Sequence, residues 1–137
     1  MLRTQALLER INDVRQSCGC RPLLWNDTLS LAAMHHSVFM FESKRLSHTG
    51  RDGSTFTQRL SHVGYHFLEA AENIAYCDSD PAAVLTLWQN SPPHYQNMIN
   101  PVFCDIGLAL VKNQENPASA YWTALFASPL QADRVPY

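Results

Sequence analysis

Residues 47–60 read SHTGRDGSTFTQRL, and this stretch decides how the chain is laid out. With Leu46, its first half sets Gly50 and Gly53 among small polar side chains, the composition of a loop. Its second half continues as FTQRLSHVGY over 56–65, a short helix that Gly64 ends. On the N-terminal side, residues 25–43, WNDTLSLAAMHHSVFMFES, form a helix capped by Asn26 or Asp27. Its buried stripe is Leu29, Ala32, Ala33, His36 and Met40. His48 therefore stands in a loop between two helices.

Working outward, FLEAAENIAY over 67–76 reads as extended, closed by Asp-Ser-Asp-Pro, so Glu72 sits on or beside a strand. PAAVLTLWQN over 81–90 is a helix with Pro81 in its first turn and Val84, Leu85 and Trp88 on one face. In SPPHYQNMIN, over 91–100, Ser91 is the expected N-cap and Pro92 the first helical residue, placing His94 in the first turn. FCDIGLALVK and SAYWTALFAS are two apolar strands joined across the polar KNQENPA, a hairpin with a longish loop. At the other end, Leu7, Leu8, Ile11 and Val14 repeat at helical spacing, and SCGCRPL is a turn. The sum is α+β: helices packed on a small, mainly antiparallel sheet. Residues 1–137 read as a single domain, with 129–137 an irregular tail, and Trp25, Trp88 and Trp122 read as core aromatics.

Composition narrows the function. A chain of 137 residues that is 46% hydrophobic builds one core of ordinary size. Only 16% of residues are charged and the formal net charge is −2, so no basic field exists for a phosphate backbone and nucleic acid is excluded as a partner. No apolar run reaches the roughly 18 residues of a membrane span. No signal peptide is visible, and the sequence leaves open whether Met1 is native. Cys18, Cys20, Cys77 and Cys104 contain no C-x-x-C pair, which argues against a zinc ribbon or a redox motif and favours disulfides. A bridge between Cys18 and Cys20 would close a tiny strained ring, so Cys18 or Cys20 is expected to join Cys104. Under the chain-entropy model such a closure contributes on the order of 4 kcal/mol.

Three polar residues stand where a core needs none: His48, Glu72 and His94. Neutral imidazoles bind transition metals, while a carboxylate supplies an oxygen ligand, orients water or accepts a proton. No H-E-x-x-H, G-x-S-x-G or phosphate-cradling glycine loop accompanies them. His62 and His66 are separated by Gly64, which argues against a second metal site on a helix face.

The ordered set SHTGRDGSTFTQRL, GY, AENIAY, the W-x-x-S-P-x-H of Trp88 to His94, NMINP, Ile106–Gly107 and YWTALFA resembles bacterial members of the CAP superfamily. That superfamily takes in cysteine-rich secretory proteins, insect venom antigens and plant pathogenesis-related proteins. The resemblance implies an α-β-α sandwich and a central cavity with two histidines and two acidic residues, of which His48, Glu72 and His94 occupy three places. At the fourth, three residues after Trp88, Ser91 stands where eukaryotic members have Glu. A serine is a poor metal ligand beside a carboxylate. The expectation is therefore a secreted, periplasmic or envelope-associated binding module, monomeric, whose His48–Glu72–His94 cleft holds a divalent cation, zinc foremost, weakly. Its ligand would be an extracellular or envelope component, a peptide or a lipid. The alternatives are a hydrolase in which Glu72 and the two histidines activate water, and a lipid- or sterol-binding protein.

Overall fold

The computed structural model describes residues 2–130. Among these, five α-helices surround a four-stranded sheet: α1 (Arg3–Ser17), α2 (Asp27–Ser43), α3 (Phe56–His62), α4 (Pro81–Gln89) and α5 (Pro92–Ile99). The strands are β1 (Leu24–Trp25), β2 (Phe67–Asp78), β3 (Asp105–Asn113) and β4 (Asn116–Pro129), in spatial order β1-β3-β4-β2. β2 and β3 both run antiparallel to β4; only the two-residue β1 pairs in parallel, with β3.

Strand alternation sorts the core into two layers. Trp122, Ala124 and Phe126 of β4 join Leu7 and Ile11 of α1, Val84 and Trp88 of α4 and Met98 of α5 in one cluster. Leu125 and Ala127, turned the other way, meet Leu29, Ala32 and Ala33 of α2 and Leu60 of α3. The result is the expected α-β-α sandwich. Helix ends follow local chemistry: Asn26 caps α2 by accepting from the Leu29 N–H at 2.9 Å. Thr55 and Gln58 form a reciprocal capping box at α3. Asp80 caps α4 ahead of Pro81.

Two buried contacts fix the layers in place. α2 crosses β3 so closely at Gly107 that a β-carbon there would stand 2.3 Å from the Leu29 carbonyl carbon and 2.4 Å from the Ser30 nitrogen. Only glycine fits. Arg15, fully buried, donates to the carbonyls of Arg21 (2.8 Å), Met98 (2.8 Å), Asn100 (3.0 Å) and Phe103 (3.1 Å). It ties α1 to the end of α5 and to the turn before β3, and its burial lowers its pKa, opposed by Cys20 and Cys104.

Four expectations need correction or completion. β3 and β4 run nearly to their tip and leave only Gln114 and Glu115 between them, so the hairpin loop is short, not longish. Trp25 is not a core aromatic: it is 38% exposed, with its Nε1 donating to Asp27. No disulfide joins the four cysteines. The Sγ of Cys20 lies 3.2 Å from the Ile99 carbonyl and that of Cys18 lies 3.5 Å from the Tyr95 hydroxyl, which turns both thiols onto α5 instead of Cys104. Of the expected tail, Pro129 completes β4, and 131–137 lie outside the described residues.

Candidate functional site

β2 is an edge strand, and its successive residues Glu72 and Asn73 turn to opposite layers of the sandwich, both buried. On the α2–α3 side, one Glu72 oxygen accepts from His48 Nδ1 at 2.9 Å and the other from Arg59 Nη2 at 2.5 Å. Arg59 reaches further, its Nη1 donating to the carbonyls of His48 and Ser54, each at 3.0 Å. One guanidinium, nine-tenths buried, thus holds both the carboxylate and the 48–54 loop. Gly50 makes this possible, because a β-carbon there would sit 2.7 Å from Arg59 Nη1 and 3.2 Å from His36 Nδ1.

On the opposite side, Asn73 donates to the His94 carbonyl at 3.1 Å and accepts from Asn97 at 2.9 Å, which seats the first turn of α5 on the strand. Ser91 precedes α5, yet its side chain makes no capping bond to the helix backbone. Its Oγ lies 2.7 Å from His94 Nδ1. The expected capping role is corrected accordingly: the hydroxyl is committed to the imidazole.

The structure thus brings a histidine from each helical layer to the same edge of the sheet. A carboxylate only accepts, so Nδ1 of His48 carries the proton in the neutral ring and Nε2 keeps its lone pair. His94 is likewise engaged at Nδ1, and neither ring has an Nε2 partner among the described residues. Desolvation first, and the nearby His48 second, push the His94 pKa down from its ordinary value, which favours the neutral ring a metal needs.

Glu72 is placed differently from a direct ligand. Both of its oxygens are taken by protein donors, and no group of three His, Cys, Asp or Glu side chains is arranged to hold a metal among the described residues. Glu72 instead fixes the His48 ring from behind, the position that outer-shell carboxylates take in metal sites. Arg59, Asn73 and Asn97 were not singled out in the sequence. The one available signal was Glu72-Asn73 itself: two polar residues in succession between the apolar pairs Ala70-Ala71 and Ile74-Ala75 require a polar partner on each face. Arg59 and His36 also line a cavity of about 380 Å³, together with Ala32, Phe39 and Val63.

Helices on both faces of a small sheet, with one histidine delivered by each layer to an edge strand, define a CAP-type domain. The chain belongs to the cysteine-rich secretory protein family (CAP), whose profile matches residues 8–126. YkwD of Bacillus subtilis is 30% identical over 120 residues, covering 88% of this chain and 45% of that protein. The membrane protein YlbC of the same organism is 29% identical over 104 residues, 76% of this chain and 30% of its own length. The chain therefore spans less than half of the curated relatives it matches. Among solved structures, an extracellular SCP-domain protein of Bacillus anthracis superposes with a TM-score of 0.84 at 27% identity, over 92% of this chain and 40% of that one. An outer surface protein of Borrelia burgdorferi gives 0.84 at 25% identity, over 92% of each chain.

Proposed function

We propose that this domain works outside the cytoplasm, secreted or attached to the cell envelope, as a binding module. Its site takes a divalent cation of the zinc class weakly between the Nε2 atoms of His48 and His94. The observation that carries the reading is that each ring is engaged at Nδ1, by Glu72 and by Ser91, which turns each Nε2 away from those partners. The carboxylate fixes the His48 tautomer with Nε2 unprotonated, and a cation at His94 Nε2 requires the Ser91 hydroxyl to accept from Nδ1. The external location is supported by an extracellular and an outer surface protein among the similar structures. With no disulfide in the chain, cysteine content adds nothing to it.

Two imidazoles and water make an exchangeable site, so affinity is modest and falls on acidification as protons compete for the same lone pairs. The hydrolase alternative has one contact in its favour, the 2.7 Å Ser91–His94 pair. It lacks an orienting carboxylate on His94, since Glu72 is engaged by His48 and Arg59. Zinc titration calorimetry on the wild type, His48→Ala, His94→Ala and Ser91→Ala tests the reading. Loss of binding in both histidine variants with retention in Ser91→Ala supports it; equal binding by wild type and both histidine variants overturns it.

A further inference from the structure

The outer side of β3 is nearly bare. β1 pairs with it only at Asp105 and Ile106, whereas β3 continues to Asn113. Leu24 and Asn26 donate their N–H groups to the carbonyls of Cys104 and Ile106, both at 2.9 Å. Alternate residues of a strand turn their backbone groups to the same side, so the N–H and C=O of Leu108 and Leu110 face the side where β1 has ended. Past Asn26 the chain leaves into α2, and no other strand borders β3 there among the described residues.

This open edge lies in a groove of about 440 Å³, with Leu108 and Leu110 along its floor and Leu2, Trp25 and Met34 on its walls. Those wall residues are 67%, 38% and 41% exposed, and Leu24 and Leu31, at 65% and 50%, add to the exposed apolar surface of β1 and α2. A buried Ser30 hydroxyl on the groove wall has no partner. Arg3 and Lys112 also line the groove, and neither pairs with an acidic side chain among the described residues. An unpaired strand edge flanked by exposed large apolar side chains is a template for another strand, and native proteins blunt or cover such edges.

We propose that this groove receives an extended segment of a partner protein, added as a strand beside Leu108 and Leu110, with apolar side chains at alternate positions and at least one acidic residue. The unpaired backbone groups select the extended conformation. Trp25, Leu2 and Met34 receive the apolar side chains, and Arg3 and Lys112 receive the acid. The same cations disfavour self-association, because a second copy docked edge to edge would bring another Arg3 and another Lys112 into the groove. This surface lies on the strand edge opposite to β2 and does not depend on the two-histidine site.

The test pans a displayed library of random dodecapeptides against the intact domain and follows backbone amide exchange with the best binder bound. Enriched sequences should alternate apolar residues and carry Asp or Glu, and the bound peptide should slow exchange at Leu108 and Leu110. The exposed double variant Arg3→Glu, Lys112→Glu should weaken binding by about tenfold, the effect of two surface charge contacts. Trp25→Ala should weaken it too, with the fold retained by circular dichroism. The proposal is overturned by no enrichment above a protein-free control, by peptides that leave Leu108 and Leu110 exchange unchanged, or by binding indifferent to the charge reversal. Sedimentation showing that the edge is occupied by a second copy at micromolar concentration overturns it equally.

Discussion

Glu72→Gln removes one charge and almost no volume, and the structure makes its cost calculable. Glu72 has a fully buried side chain, and Arg59, at 10% side-chain exposure, retains its positive charge when the carboxylate is gone. Removing one partner of a buried ion pair costs about 3–5 kcal/mol, because the remaining charge is left uncompensated. Two features pull the value to the lower end: Arg59 keeps its bonds to the His48 and Ser54 carbonyls, and glutamine still offers one acceptor oxygen. We expect a loss of about 3 kcal/mol, which at a urea slope of about 2 kcal/mol per molar moves the midpoint down by roughly 1.5 M. Urea unfolding followed by circular dichroism near neutral pH, with and without EDTA, measures it. The loss should be the same with the chelator, since it arises inside the protein. A midpoint change below about 0.3 M, or a loss that appears only when metal is present, would refute the assignment of Glu72 as the inner anchor of Arg59 and His48.

Other consequences follow from the same contacts. Gly107→Ala forces a β-carbon against the α2 backbone and should cost about 3 kcal/mol, visible as a lowered melting temperature; an unchanged melt would mean that α2 can slide on β3. His36, 1% exposed and donating from Nε2 to the Ser47 carbonyl, has its pKa lowered from 6.5, by desolvation above all. The unfolded chain then binds a proton before the folded protein does, so stability present above pH 6.5 is lost as pH falls towards the folded-state value. Proton NMR titration should find the His36 ring still neutral at a pH where an exposed histidine is half charged, and a ring that titrates normally would contradict the burial argument. Thiol titration of the unreduced protein in denaturant should count four reactive groups, matching the four unbridged cysteines; two would restore a disulfide.

Much of the architecture is legible in the sequence because local chemistry and tertiary packing agree. Asn26, Thr55 and Asp80 are capping residues in position, and the buried stripe of α2 coincides with the expected Leu29, Ala32, Ala33, His36 and Met40, plus Ser37. What stays hidden is set by contacts between distant segments. Arg59 lies thirteen residues from Glu72, in a helix whose own pattern accounts for it as an ordinary polar position. The bond from Ser91 to His94 replaces a capping bond that the same spacing also allows, so only the side-chain direction separates the two roles. A two-residue strand such as β1 carries no periodicity at all, and with it went the exposure of Trp25. Cysteine spacing, finally, limits pairings without saying whether any forms.

The central claim is that the site is two imidazoles on opposite layers, each held at Nδ1 and offering Nε2. X-ray absorption at the zinc edge on the domain loaded with one equivalent of zinc tests it most directly. The account predicts a first shell of two nitrogen ligands near 2.0–2.1 Å completed by oxygen, with imidazole outer-shell features that vanish in His48→Ala and His94→Ala. Sulfur scattering near 2.3 Å, or a shell of oxygen alone, would contradict it.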